Sequence, residues 1–166
     1  MHPYTIRPLT GDDQTFLWEI VYHAIHVPPG APPPPSNIVD DPAVAKYVRE
    51  WGRVGDYGVV VTHDPTDQPV GAAWMRLFPA SDPGYGFIAE DVPEISIALL
   101  PGHRDRGIGT KLIAHLADHA QTRYPALSLS VVSSNPAIRL YERLGFKEIR
   151  ANGNSLTMER SSRRTG

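Results

Sequence analysis

The chain has 166 residues, the size of one ordinary domain and too short for two full ones. Hydrophobic residues make up 41%, enough for a buried core, while a formal net charge of −2 lacks the clustered positive charge that nucleic-acid or anionic-membrane binding rests on. The absence of cysteine excludes disulfides, thiolate metal sites and cysteine nucleophiles, and no apolar run approaches the length of a membrane span.

The N-terminus, Met1-His2-Pro3-Tyr4, has no apolar signal region, so a cytoplasmic enzyme or ligand binder is expected. Tyr4 to Leu9 reads as a strand. Thr10 with Asp13 resembles a capping box and opens a helix carrying Phe16, Leu17, Ile20, Val21, Ala24 and Ile25 at helical spacing. Prolines then crowd Pro28 to Pro35, which fixes φ and removes backbone donors. That block predicts a stiff surface loop. Asp41-Pro42 starts a second helix through Ala45, Val48 and Trp51. Tyr57 to Thr62 and Val70 to Phe78 read as a hairpin about the Asp64–Asp67 turn. A glycine-bearing loop, Ser81 to Asp91, leads to an apolar strand from Glu94 to Leu100. A long helix from Gly107 to Arg123, a strand from Leu127 to Val132 and a short helix from Pro136 to Leu144 follow. Two strands, Phe146 to Arg150 and Ser155 to Glu159, close the chain. The pattern predicts a layered α/β (α+β) domain over residues 1–160, with 161–166 a frayed basic tail.

The chemistry concentrates where the apolar strand ends. Pro101-Gly102-His103-Arg104-Asp105-Arg106-Gly107-Ile108-Gly109-Thr110-Lys111 turns through two arginines into a helix. A helix start offers unpaired N–H groups and the positive end of the macrodipole, and glycine lets a ligand approach the backbone. The segment suits a phosphate, with Arg104, Arg106, His103 and Lys111 as added charge. A Walker loop would need Gly-Lys-Ser/Thr, which is absent. A dinucleotide site would need glycine at Leu112 and an acid at the end of the next strand, where Val131-Val132-Ser133 stands. The bland alternative is a tight turn packing a helix on a sheet.

Arg104-x-x-Gly107-x-Gly109 after an apolar strand resembles the acyl-CoA signature of the GNAT (Gcn5-related) N-acetyltransferase superfamily. A second segment, Asn135-Pro136-Ala137-Ile138-Arg139-Leu140-Tyr141-Glu142-Arg143-Leu144-Gly145-Phe146, is similar to that family's closing motif. Together with the element order, the resemblance covers roughly Tyr4 to Glu159. It implies a mixed central sheet of about seven strands flanked by about four helices. It also implies a coenzyme A diphosphate seated on Arg104, Asp105, Arg106, Gly107, Ile108, Gly109 and Thr110. The pantetheine arm would run along Ile97, Ala98 and Leu99 beside a splayed neighbouring strand, with Asn135 and Tyr141 in contact.

The implied activity is acetyl transfer from acetyl-CoA to a primary amine, small-molecule or peptide, by direct attack in a ternary complex. The amine must first lose a proton, since an ammonium has no lone pair. Glu94 stands where several family members hold a general base; otherwise it is a solvated strand-end carboxylate. Leu99 or Ile97 would supply a backbone N–H to the thioester oxygen. Tyr141 matches a tyrosine near the sulfur, a candidate general acid; Ala137, Leu140, Tyr141 and Leu144 also form an apolar stripe in which it would be a core aromatic. Asn135 before Pro136 doubles as an N-cap.

The fold also carries a reading from another class, a non-catalytic acyl-CoA-binding or regulatory module. The acceptor itself is not legible, because loops set it. Tyr22, Tyr85 and Phe87 are the acceptor-side candidates, with Tyr85-Gly86-Phe87 preferred; Trp18, Trp51 and Trp74 are taken as packing. His115 and His119 share a helix face, but Leu116 stands where a zinc protease needs Glu, so no metal is expected. His23 and His26, near the first helix end, read as boundary histidines, although the resemblance implies that this region faces the acceptor. No nucleic-acid or membrane partner is expected, and the family's frequent dimers leave a homodimer open.

Overall fold

The computed structural model describes residues 3–162. Its elements run β1 (Tyr4–Pro8), α1 (Gln14–His23), α2 (Pro42–Ala45), β2 (Tyr57–His63), β3 (Gln68–Arg76), β4 (Glu94–Leu99), α3 (Ile108–Ala120), β5 (Ala126–Val132), α4 (Ile138–Arg143), β6 (Lys147–Asn152) and β7 (Ser155–Ser161). The seven strands form one mixed sheet, as the resemblance implied, and their order in it is β1-β2-β3-β4-β5-β7-β6. All neighbours are antiparallel except β4 and β5, which are parallel and joined through α3.

Strand alternation sends side chains to two cores. Val59, Val61, Ala73, Met75 and Ile95 pack on one face beneath α3, whose Leu112, Ile113, Leu116 and Ala120 are buried. Val60, Ala72, Trp74 and Ala98 face the other way and meet Leu17, Ile20, Val21, Tyr47 and Val48. Val60, Ala72, Trp74, Leu17, Ile20 and Val48 have no exposed surface, and each buried valine, leucine or isoleucine contributes on the order of 1.5–3 kcal/mol of transfer free energy. The centre of the sheet, β2 to β4, is therefore covered on both faces, whereas edge strand β6 is exposed along its length.

The Thr10–Asp13 capping box forms as read, and Asp13 also takes Arg7 in a two-pronged ion pair at 2.8 and 2.9 Å. The second helix is shorter than predicted. Its α-helical part ends at Ala45, and a run of turns carries the chain through Lys46 to Glu50, where φ is +54°. The prediction followed apolar spacing alone. In the turns that follow, the Lys46 and Arg49 carbonyls accept hydrogen bonds from buried Arg76 at 2.8 and 2.7 Å.

Two residues of the expected frayed tail are held in place. Ser161 ends β7, and Ser162 is tied on both sides: its N–H donates to Pro125 O and its carbonyl accepts from Gln121 Nε2. The rest of the expected tail, residues 163–166, lies outside the described residues, as do Met1 and His2. No helix of the described chain is long and apolar enough to cross a membrane.

Candidate active site

β4 and β5 are joined at one register pair, Glu94 with Ser128, and part beyond it. Pro93 O accepts from Ser128 N, toward β5, while Leu100 N donates to Val70 O, toward β3. Because successive peptide groups alternate sides, the N–H groups of Ile97 and Leu99 point into the open edge of β4. Arg104 Nε takes the Leu99 carbonyl at 3.1 Å. Ala98, by the same alternation, directs its peptide groups to β3, and its side chain is buried under α1. A cavity of about 260 Å³ opens in this fork. β4 contributes Glu94, Ser96 and Ile97, β5 contributes Leu129 to Val132, and Asn135 and Tyr141 close one side.

Glu94 lies at the apex, 4% exposed, so the strand-end reading of a solvated carboxylate does not hold. Tyr47 Oη donates to its Oε2 at 2.6 Å and accepts the Tyr85 N–H at 2.7 Å. Tyr47 is itself fixed by its carbonyl, which accepts from buried Trp74 Nε1 at 2.9 Å. Oε1 of Glu94 is buried without a hydrogen-bond partner, as is Oγ of Ser128 on the adjoining strand. Burial pushes the Glu94 carboxyl up to about 7, against the opposing pull of the Tyr47 hydroxyl, the Gly86 amide and Lys46. Burial, and then the neighbouring carboxylate, pushes the Tyr47 phenol far up, so it stays a donor. The loop before β4 crowds the carboxylate: a Cβ at Gly84 would collide with Oε1. At Gly86 a Cβ would strike the β5 backbone at 2.7 Å.

The phosphate-type segment sits at the other end of the fork. Gly107 is the N-cap of α3 with φ +76°, and the space its Cβ would take is open. Asp105 also has positive φ, +62°. The turn therefore presents the first amides of α3, at Ile108, Gly109 and Thr110, outward. Gly109 packs closely, its Cβ position 3.4 Å from Leu140 and 3.6 Å from Ile97, which brings α3, α4 and β4 together. Arg104 and Arg106 are exposed. His103 differs from the expected added charge. Its Nδ1 is bonded to Tyr4 Oη at 2.8 Å, and slight burial, followed by His63 and Arg106, holds it below the ordinary imidazole range.

Tyr141 packs as the core reading expects and stands beside the cavity. It is 9% exposed in the α3 core, edge-on to Phe146, and it also lines the cavity. Burial pushes its phenol up to about 12. Asn135 Oδ1 accepts from Ala137 N at 2.9 Å, the capping contact, and the residue lines the cavity as well. Of the acceptor-side candidates, Tyr85 lines the cavity, 61% exposed and stacked on Tyr47. Phe87 packs toward the α1 core, outside the lining. Tyr22 also stands outside it and donates to Pro34 O at 2.6 Å, tying the proline block to α1. His119 stacks on Tyr57 at 3.6 Å, and His115 is exposed. His26 lines the cavity, its Nε2 buried and unpartnered.

Sequence reading missed Tyr47 and the pair of Arg76 with Asp56. Arg76 had a signal, a charge inside an apolar strand. It is 1% exposed and forks onto Asp56 at 2.8 and 3.0 Å. Tyr47 had none, because only the turn after α2 aims its hydroxyl at Glu94.

The profile of the acetyltransferase (GNAT) family matches residues 19–146. The chain is 48% identical over 52 residues to a streptothricin acetyltransferase of Streptomyces lavendulae, a match spanning 30% of this chain and 28% of that protein. In structure it is similar to YncA of Salmonella typhimurium, described as an acetyltransferase and solved with acetyl-CoA (TM-score 0.68, 20% identity, 99% of this chain and 97% of the other). It is also similar to the PaiA N-acetyltransferase of Thermoplasma acidophilum with coenzyme A (TM-score 0.69, 18% identity, 96% and 99%). With the family profile over most of its length, this chain belongs to the acetyltransferase (GNAT) family.

Proposed function

We propose that this chain moves an acetyl group from acetyl-CoA to a primary amine by direct attack in a ternary complex. The observation that carries the reading is the fork: β4 leaves β5 after one pair, and the gap holds a buried carboxylate at its apex and a glycine-opened helix start at its mouth. The donor set fits the coenzyme. The outward amides of Ile108, Gly109 and Thr110, with Arg104, Asp105, Arg106 and the open Gly107 forming the turn, suit the diphosphate. The free amides of Ile97 and Leu99 suit an extended amide-bearing arm, beside Ala98 and Asn135. When bound, the thioester supplies the activated acyl carbon.

Glu94 accepts a proton from the incoming ammonium, directly or through water. A carboxyl near 7 is well placed for this, being largely ionised just above neutrality while still basic. A bond forms from nitrogen to the acyl carbon as the carbon–sulfur bond breaks, and the electron pair leaves on sulfur. The Ile97 or Leu99 N–H steadies the carbonyl oxygen. Tyr141 supports the sulfur. A phenol near 12 would have to give its proton uphill to a thiolate whose ordinary acid has a pKa of about 8.5, so hydrogen-bond donation outweighs full transfer. Two protons leave the ammonium and one ends on the thiol, so the net reaction releases one.

Thiol release from acetyl-CoA against an amine panel tests the reading. Amine-dependent release that Glu94→Gln abolishes is the expected result. Tight coenzyme A binding with no release on any amine would overturn it.

A further inference from the structure

Resting on the reading that Glu94 receives the amine's proton, we propose that Tyr47 is a positioning residue whose hydroxyl ties the protonation of Glu94 to the seating of the loop that brings Tyr85 into the cavity wall. One phenol makes both bonds. Tyr47 Oη donates its single proton to Glu94 Oε2 at 2.6 Å and accepts the Tyr85 N–H at 2.7 Å. Glu94 Oε1 has no partner, and Ser128 Oγ, on the residue in register with Glu94, makes no hydrogen bond either. Among the described residues, Tyr47 is therefore the one side chain that hydrogen-bonds the carboxylate. The phenol is fixed in place. Its own carbonyl accepts from Trp74 Nε1 at 2.9 Å, and its ring lies edge-on to Phe78 and stacked on Tyr85. Gly84 closes against the hydroxyl, since a Cβ there would stand 2.7 Å from Oη.

The two bonds depend on each other. A hydrogen bond to an ionised carboxylate is roughly twice as strong as one to a neutral carboxyl, and bonds in a chain polarise one another. Ionisation of Glu94 therefore tightens the hold of Oη on the Tyr85 amide, and by reciprocity a seated loop favours the ionised carboxylate. Burial raises the carboxyl, and the Tyr47 hydroxyl is the largest of the pulls that oppose it. The other charges nearby are committed elsewhere. Lys46 Nζ bonds Asp82 and the Pro83 carbonyl, and Arg76, across β3, is held by Asp56. Tyr85, Tyr141 and His26 are the other titratable groups of the cavity lining, and none of their side chains bonds Glu94.

The test is the pH profile of kcat/KM for Tyr47→Phe in the full chain, with acetyl-CoA and the most active amine of the panel. The ring and its backbone anchor remain, so the variant should fold. The acid limb, near 7 in the parent, should move up by about one pH unit, because the ionised carboxylate loses a charge-assisted donor. The variant should then be about tenfold slower than the parent at a pH near 6 and close to it near 9. A loss of the same size at every pH, or an unmoved limb, would overturn the inference and leave Tyr47 a packing residue. A second measurement needs no change at Tyr47. In the parent, the Tyr85 amide proton followed by NMR should shift in one step centred near 7, and in Glu94→Gln that step should vanish. An amide that does not titrate in the parent, or that still titrates in Glu94→Gln, would overturn the link between loop and carboxylate. No amine-dependent release from the parent would overturn acetyl transfer and the kinetic arm with it, while the amide titration still decides the link.

Discussion

Arg76 and Glu94 are directly opposed across β3 and β4, yet the guanidinium and the carboxylate do not pair. They lie on one face, since their strands alternate in step with Ala72–Ala98 and Trp74–Ser96. Opposed residues have Cβ atoms about 4.5–5.5 Å apart, within easy reach of a salt bridge. Asp56 prevents it by taking two guanidinium nitrogens, and the Lys46 and Arg49 carbonyls take the third. Glu94 is thereby left without a guanidinium at contact, and burial keeps its pKa raised against the weaker pull of Lys46.

Asp56→Asn should release part of that hold and let Arg76 turn to Glu94. An opposite charge at contact lowers a carboxyl by about 1–3 units. The acid limb of the kcat/KM profile should then fall by at least about one pH unit. Asp56 also accepts from the Gly52 and Arg53 amides, so the variant will be less stable and is assayed at a temperature where circular dichroism shows it folded. A limb that stays near 7 would show that Arg76 cannot reach the carboxylate.

Glu94→Gln should lose turnover by about 10²–10⁴-fold, the usual contribution of a general base. It should also change stability in a pH-dependent way. The folded carboxyl titrates near 7 and the unfolded one near 4.5, so between those values the folded state binds more protons. Native stability attributable to this group therefore falls as pH rises through the window, by about 3 kcal/mol in the limit of full ionisation. The variant should melt several degrees above the parent at pH 8 and show no such gain at pH 4, read by calorimetry. Parallel melting curves at both pH values would contradict the burial cost assigned to Glu94.

Tyr141→Phe removes one hydroxyl from a side chain already packed against Phe146, so the fold should persist. Turnover should drop about tenfold or more, while coenzyme A affinity by calorimetry changes less than about twofold. Unchanged turnover would return Tyr141 to packing alone.

Gly107→Ala and Gly107→Glu separate strain from charge. Both side chains enter a left-handed conformation, at about 1–2 kcal/mol. Only the glutamate places an anion where the diphosphate is proposed to sit. Coenzyme A affinity should fall modestly in the first and by about 100-fold or more in the second. Equal losses would place the diphosphate elsewhere.

The fold class and most elements were legible in the sequence because they rest on local rules, and the two motif segments were legible through their resemblance to the family, whereas the order of strands in the sheet was not read. Alternation in Tyr57–Thr62 and Val70–Phe78, the Thr10–Asp13 cap, and glycines opening a helix after an apolar strand are all short-range signals. The second helix was misjudged for the converse reason: the turns that replace its second half are held by Arg76, a residue 27–30 positions away.

The chain by itself determined which residues are available: a carboxylate opening β4, a tyrosine on α4, glycines at the start of α3, and no cysteine. Tertiary structure decided their state. Glu94 is a buried carboxyl near 7 because the Ser81–Asp91 loop and the turn after α2 close over it and because Asp56 draws off the arginine opposite. Desolvation and pairing depend on what packs within a few ångströms, and residues as distant in the chain as Tyr47, Asp56, Gly84 and Glu94 meet there only once the sheet has formed.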